Sequence, residues 1–210
     1  MTIALGVLIS GRGSNLGALL DAIGDGRLDA SVRLVVSNKA GAGGLARAEA
    51  AGVATCVLPH GAYPSREAFD AAVVDALRAA GVELVVLAGF MRLVTPVLLD
   101  AFPHRVLNIH PALLPAFPGV DAQRQALDYG VRVTGCTVHF VDAGTDTGPI
   151  LLQETEPVHE DDTPASLSAR LLVKEHALLV RAVGLVASGR VRVEVSPQGG
   201  RARVSIAGPP

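Results

Sequence analysis

The sequence predicts an α/β fold: a Rossmann-like, doubly wound, mostly parallel sheet with a mixed C-terminal half. Three observations carry this expectation. Short apolar runs alternate with helix-period segments over roughly the first half of the chain. The runs, such as Ile3–Ile9, are almost uninterrupted in their apolar character, as in strands covered on both faces. After Gly119 the alternation gives way to a longer strand, a Gly/Asp loop and a second strand.

Each element has its own signal. Residues 1–10 form the first apolar strand. Leu16, Leu19, Leu20 and Ile23 then fall at i, i+3, i+4 and i+7, one face of a helix. Residues 32–36 read as a second strand, and residues 42–51 as a short Ala-rich helix ended by Gly52. Residues 54–58 are a third strand. Ser65 suits the N-cap of a helix with Phe69, Val73 and Leu77 on one face, closed by Gly81. Residues 84–88 are a fourth strand. Thr95 and Pro96 read as the N-cap and N1 proline of a short helix, and residues 106–109 as a fifth strand. Residues 122–127 are a short helix. Residues 132–141 form a strand with Thr137, His139 and Val141 on one face and Val138 and Phe140 on the other. The loop 142–148 leads to a strand at 150–153. Thr163 caps a long helix to about Ser188. Short strands at 191–195 and 203–206 precede a Gly/Pro end expected to fray. With no internal repeat and no linker, residues 1–210 read as a single domain.

Composition narrows the function. Half of the residues are hydrophobic and only 18 % are charged, which excludes a disordered chain. The net charge of −2, without any Lys/Arg block, argues against nucleic acid as the main partner. The apolar runs are too short to span a bilayer, and residues 1–10 lack the basic start of a signal peptide. Cys56 and Cys136 have no metal spacing and sit in strand-like settings, as buried thiols of a cytoplasmic, reducing location. No pair among the six histidines has metal-ligand spacing, so no metal is expected. His60, His104 and His159 read as surface loop residues, and His176 as packed or solvated on the late helix. His139 is equally readable as strand packing or as a site-lining residue.

The turn Ser10-Gly-Arg-Gly-Ser-Asn15 joins the first strand to the first helix. Glycines allow close backbone approach, and the helix N-terminus supplies free N–H groups and a positive dipole end. Such a turn is an anion cradle where open α/β sheets bind ligands, or else only a tight βα connection. It lacks the Gly-Lys-Ser/Thr of a Walker loop. A dinucleotide fingerprint would place its third glycine at Leu16 and an acid after the second strand, where the chain reads Ser37-Asn38-Lys39. NAD fits poorly, and a single phosphate fits better.

Residues 106–109 deliver Asn108 and His110 to a stop at Pro111. Two apart on a strand, they face the same way. A neutral amide donor beside a residue that titrates near neutral pH suits acyl transfer: one holds a developing oxyanion, the other carries protons. A satisfied polar pair at a strand end is the plainer reading of the motif taken alone. Asp142 reads as a turn former. Asp146, if brought near His110, would favour the imidazolium or orient a water.

Taken together, these segments resemble the glycinamide ribonucleotide formyltransferases, the folate-dependent formyltransferase family of purine biosynthesis. The resemblance covers residues 3–190. It rests on Ile9-Ser-Gly-Arg-Gly-Ser-Asn15, Val36-Ser-Asn-Lys39, Ser65-Arg66-Glu67, Leu87-Ala-Gly-Phe-Met-Arg92, Leu107-Asn-Ile-His-Pro111, Leu113-Leu-Pro115, Gln125-Ala-Leu127, Thr137-Val-His-Phe140, Asp146-Thr-Gly-Pro149 and Glu175-His176. It implies a catalytic set of Asn108, His110 and Asp146. It implies ribotide binding by Gly13, Ser14 and Asn15 and by the segment 172–175, with Glu175 the polar contact and Lys174 beside it. Folate binding falls to Arg66, to Met91, Arg92, Leu93 and Val94, to Asn108, and to Asp142, Ala143, Gly144, Thr145 and Asp146. The chain divides accordingly into a ribotide-phosphate half at about 1–105, a folate and catalytic half at about 106–195, and a tail at 196–210. The implied reaction moves a formyl group from 10-formyltetrahydrofolate to the amine of glycinamide ribonucleotide. The partners are these small molecules, with no nucleic acid and no membrane, and the resemblance allows a homodimer.

The chain departs from the family at Asp121, Ala122 and Gln123, where relatives carry histidines, and at Ala112, where a serine is common. No role is transferred to residues 120–124. A methionyl-tRNA formyltransferase would be expected to add a C-terminal domain and a basic surface. A formyltetrahydrofolate hydrolase would be expected to add an N-terminal regulatory domain and has no use for a ribotide cradle. A non-catalytic folate-binding module does not require Asn108, His110 and Asp146 together.

Overall fold

The computed structural model describes residues 2–194 and 201–208. The chain forms two compact units, Met1–Asn108 and Ile109–Pro210.

In the first unit, strands β1 (Ile3–Ile9), β2 (Ala30–Ser37), β3 (Thr55–Val57), β4 (Leu84–Leu87) and β5 (Val106–His110) lie in the order β3-β2-β1-β4-β5. Strand β5 ends two residues inside the second unit. Every pairing in this sheet is parallel. The expected doubly wound order follows, with the fully buried β1 at its centre. The register aligns Leu8 with Leu87, and Leu87 with Asn108. The C-terminal edge of the sheet therefore gathers the turn after β1, the loop after β4 and Asn108 on one side, where open α/β sheets bind ligands.

Four helices connect these strands: α1 (Ser14–Gly24), α2 (Gly43–Ala50), α3 (Arg66–Ala79) and α4 (Pro96–Ala101). The cap of α3 is as expected, with Ser65 Oγ accepting from Ala68 N–H at 3.1 Å. At the start of α4, Thr95 is the N-cap residue and Pro96 is in the first turn, as expected; the Thr95 side chain makes no cap hydrogen bond, and its own N–H donates to Asp70 Oδ2 at 2.5 Å. Cys56 is half-buried rather than buried, because β3 is the short outermost strand of the sheet. His60 is likewise not a loop residue. It begins a 3-10 helix and its ring nitrogen lies 3.2 Å from Asn38 Nδ2.

In the second unit, β6 (Val133–Phe140) pairs antiparallel with β7 (Ile150–Pro157), the expected mixed half. β7 runs four residues beyond its apolar start, because its polar end pairs back to Val133 and carries Glu154 and Glu156 toward the long helix. Helix α5 (Ala122–Tyr129) is two residues longer than expected and ends at Gly130, whose φ is 81°. Helix α6 (Pro164–Ala187) begins with a capping box: Thr163 Oγ1 accepts from Ser166 N–H while Ser166 Oγ accepts from Thr163 N–H. β8 (Val191–Glu194) and β9 (Arg203–Ile206) form a hairpin. Residue 195 and the Gly/Pro end at 209–210 lie outside the described residues. Among the described residues no helix is long and apolar enough to cross a membrane.

Candidate active site

His110 ends β5, and its ring is buried. Its Nδ1 lies 3.3 Å from Asp146 Oδ2, and its Nε2 lies 2.8 Å from the carbonyl oxygen of Phe117. The acid and the histidine thus meet directly. Both ring nitrogens face acceptors, an environment that accommodates a proton on each. Asn108 shares the strand two residues earlier and is half-buried.

Asp146 faces more than one partner. Its Oδ1 is 3.5 Å from His139 Nε2, while its Oδ2 accepts from Gly119 N–H at 2.8 Å. Burial alone would raise the carboxyl pKa. The hydrogen bonds from His139 and Gly119, with the charges of His110 and His139, outweigh burial and hold it below its ordinary value. Asp146 also has a left-handed backbone, φ 54°, uncommon for a residue other than glycine, though aspartate adopts it more readily than most. In the sequence His139 fits strand packing and site lining equally. The structure puts it in the site: it is 1 % exposed, and its Nδ1 is 2.9 Å from the Phe140 carbonyl oxygen. The β6 register shifts between Val138 and His139, and such an irregularity re-aims a side chain. The signals in the sequence are its place two residues beyond Thr137 on one strand face and its membership of the segment Thr137-Val-His-Phe140.

Thr137 and Gln153 fix the chain after His110. Thr137 Oγ1 donates to the Ala112 carbonyl at 2.7 Å and accepts from Leu114 N–H at 3.1 Å. Gln153 Nε2 donates to the Leu114 carbonyl and to Thr137 Oγ1. Ala112, standing where relatives carry serine, is fully buried. Gln125 Nε2 donates to the carbonyls of Pro118 and Val120, which holds the turn that presents Gly119 to Asp146.

The loop 142–148 contains two kinds of aspartate. Asp142 Oδ1 accepts from Gly144 N–H and Thr147 Oγ1, the turn-forming behaviour expected of it. Its carboxylate serves its own loop, and only Asp146 reaches the histidines. Ala143, Gly144 and Thr145 are exposed. A Cβ on Gly148 would stand 1.8 Å from the Phe140 carbonyl oxygen, so glycine there lets the loop close against β6. Arg201, which the sequence did not flag, donates to the Thr147 carbonyl at the end of this loop.

In the first unit, Gly13 precedes α1 with φ 70°. A Cβ on it would lie 2.5 Å from Gly44 Cα at the start of α2, so glycine allows two helix starts to touch. No side chain caps α1. Ser14 and the buried Asn15 open that helix, whose first N–H groups have no partner within the helix. The loop after β4 shows Met91 and Leu93 outward at 65 % and 54 % exposure. Arg92 turns inward, 5.4 Å over the Phe69 ring, and Val94 is buried. Arg66 is exposed in the first turn of α3.

In the second unit, Lys174 and Glu175 lie on α6. Lys174 Nζ pairs with Glu156 Oε2 at 3.3 Å and Glu154 Oε1 at 3.6 Å, and Glu175 is buried. Arg170, one turn earlier, clamps Asp162 and Glu156.

Known proteins are similar to this chain in sequence and in fold. The pattern of the formyl transferase family matches residues 3–183. The chain is 47 % identical over 191 residues to the trifunctional purine biosynthetic protein adenosine-3 of Chironomus tentans, covering 90 % of this chain and 14 % of that protein. It thus spans about a seventh of the length of that relative. It is 43 % identical over 187 residues to the phosphoribosylglycinamide formyltransferase of Escherichia coli strain K12, covering 89 % of this chain and 88 % of that one. The crystal structure of glycinamide ribonucleotide transformylase 1 from Symbiobacterium toebii superposes with a TM-score of 0.93 at 55 % identity, over 98 % of this chain and 94 % of that one. By sequence pattern and by fold, the chain belongs to the formyl transferase family.

Proposed function

We propose that the chain transfers the formyl group of 10-formyltetrahydrofolate to the amine of glycinamide ribonucleotide, giving formylglycinamide ribonucleotide and tetrahydrofolate in purine biosynthesis. The observation that carries this reading is the 3.3 Å contact of His110 Nδ1 with Asp146 Oδ2, on the strand that bears Asn108. As the amine adds to the formyl carbon, negative charge grows on the formyl oxygen. The Asn108 amide and a protonated His110 are the donors that stabilise it. The new C–N bond is complete in the tetrahedral adduct, and collapse of its oxyanion restores the carbonyl and breaks the bond to folate N10. One proton leaves the amine and one reaches N10, and His110 with Asp146 and a water carries them. Without substrate, His110 Nε2 faces the Phe117 carbonyl at 2.8 Å, a contact that the formyl oxygen replaces in this scheme.

The remaining roles follow the family resemblance. Gly13, Ser14 and Asn15 hold the ribotide phosphate through the uncapped start of α1. Lys174 and Glu175 contact the ribotide from α6. Arg66, residues 91–94 and residues 142–146 receive the folate. The partners are these two small molecules, in the cytoplasm, and residues 1–210 act as one formyltransferase domain.

The test supplies 10-formyltetrahydrofolate with glycinamide ribonucleotide, with water alone, or with initiator tRNA. Ribotide-dependent formation of tetrahydrofolate is expected. Equal formyl release without the ribotide makes the chain a hydrolase, and formylation of the tRNA alone makes it a tRNA formyltransferase; either overturns the proposal.

A further inference from the structure

Residues 88–95 have neither helix nor strand structure, so no hydrogen-bond ladder fixes their shape. A loop of this kind takes its geometry from wherever its N–H and C=O groups find partners. Two of those partners are buried side-chain oxygens from other elements. Met91 N–H donates to Ser10 Oγ at 2.8 Å. Thr95 N–H donates to Asp70 Oδ2 at 2.5 Å. Ser10 lies just past β1 and is 6 % exposed, while Asp70 lies on α3 and is 2 % exposed.

Neither acceptor is loosely placed. Ser10 Oγ donates onward to the buried Asn38 Oδ1 at 2.7 Å, and Ser10 N–H donates to the Gly89 carbonyl at 3.1 Å. The hydroxyl therefore joins β1, the end of β2 and the loop in one network. Asp70 is buried, which raises its carboxyl pKa, and the Thr95 N–H with Arg66 and Arg92 acts in the opposite sense. Between the two pins the side chains sort by direction: Arg92 rests over Phe69 and Val94 is buried, while Met91 and Leu93 stay exposed. Two exposed apolar side chains on a loop held at both ends form a preset surface rather than an adaptable one.

We infer that Ser10 and Asp70 are positioning residues for the folate co-substrate: they fix both ends of residues 91–94 so that Met91 and Leu93 meet a flat apolar ring system in a ready-made geometry. The inference rests on the reading of residues 91–94 as folate-binding positions. Neither residue touches substrate in this scheme. Each reaches the loop through a backbone N–H, that of Met91 for Ser10 and that of Thr95 for Asp70, and so acts on recognition of one substrate and not on the proton transfers.

The experiment measures kcat and both KM values for Ser10→Ala, Asp70→Ala and Asp70→Asn, with thermal unfolding as a check on folding. Loss of one pin should raise the folate KM roughly five- to tenfold, with less effect for the hydroxyl than for the charged acceptor. For the Asp70 variants the ribotide KM and kcat at saturating folate should stay within about twofold, since Asp70 lies on α3, outside both the cradle turn and the proton relay. Asp70→Asn keeps an oxygen acceptor for Thr95 N–H and should restore most of the folate affinity lost in Asp70→Ala. If Asp70→Ala does not fold, Ser10→Ala and Asp70→Asn carry the test. An unchanged folate KM in Ser10→Ala and Asp70→Ala overturns the inference. So does a rise of both KM values together in Asp70→Ala, or an asparagine variant as impaired as the alanine. Met91→Ala and Leu93→Ala separate the two levels. If they too leave the folate KM unchanged, the reading of the loop fails; if they raise it while the pins do not, the inference alone fails.

Discussion

The two units build their ligand-handling regions from different material. After β1, the first unit offers backbone: an uncapped helix start, a left-handed Gly13, and the contact between Gly13 and Gly44 that brings two helix starts together. At the end of β5 and in the loop 142–148, the second unit offers side chains: a buried histidine, a carboxylate held below its ordinary pKa, and a second histidine on the other carboxylate oxygen. A backbone site is indifferent to functional groups and sensitive to added volume. A side-chain site is the reverse, and it also responds to pH. That contrast suits their proposed tasks, since a phosphate needs a fixed set of N–H donors whereas formyl transfer needs protons that move.

The contrast breaks first, and most severely, at His110. His110→Ala should lower kcat by on the order of 10²–10⁴ and leave the ribotide KM nearly unchanged, measured in steady-state assays with both substrates varied. A kcat within tenfold of wild type would move the chemistry elsewhere. Asp146→Asn tests the same cluster in two ways. Turnover should fall by roughly 10² or more, because the remaining amide no longer holds a charged ring. Stability supplies the second readout. Asp146 titrates lower when folded than its ordinary 3.8, so its ionised form stabilises the fold above that ordinary value. This contribution disappears as pH falls through the lower folded value. Chemical denaturation should therefore show wild type more stable than Asp146→Asn above about pH 4, with the difference closing on further acidification. A gap that widened toward acid would contradict the cluster.

Gly13→Ala tests the backbone half. The added Cβ meets Gly44 Cα at 2.5 Å and the residue sits at φ 70°, so about 1–3 kcal/mol of stability should be lost, with a rise in ribotide KM. Gly11→Ala is the control in the same turn. Nothing lies within 4 Å of its Cβ and its φ is not left-handed, so its effect should be small. An effect at Gly13 as small as that at Gly11 would mean that the turn tolerates volume and that the contrast is false.

How much of this was legible in the sequence follows the same division. The strand and helix order could be read because β1 and β4 are buried throughout and α3 carries a side-chain cap. Asn108, His110 and Asp146 were readable because a side-chain site needs particular residue types, and their spacing and order matched a family. What escaped was what depends on tertiary contact. Thr95 is the N-cap residue that Thr-Pro signals, but only the fold shows that its side chain makes no cap hydrogen bond and that Asp70 takes its N–H. His139 remained open because its role is fixed by an irregularity in β6 and by where Asp146 turns. Cys56 was expected to be buried because an outermost strand is as apolar in sequence as a central one. Gly13 was visible as a glycine, but its contact with Gly44 joins residues about thirty positions apart and leaves no local trace.

The smallest expected effect separates the two units by their thiols. Cys136 is fully buried in β6, and burial, then the charges of Glu175 and Glu154, push its pKa up to about 12. Cys56 lies half-buried on β3. A thiol reagent at pH 8 acts on thiolate, so a native chain should be modified at Cys56 while Cys136 stays intact, with peptide mapping by mass spectrometry locating the label. Glu175→Gln sharpens the test. It removes the larger of the two carboxylate contributions at Cys136 without opening the strand, so labelling of Cys136 should rise only slightly, since burial is the leading cause. Rapid modification of Cys136 in the unaltered chain would mean that the strand carrying His139 opens to solvent, and would place mobility in the unit where the buried charge cluster requires rigidity.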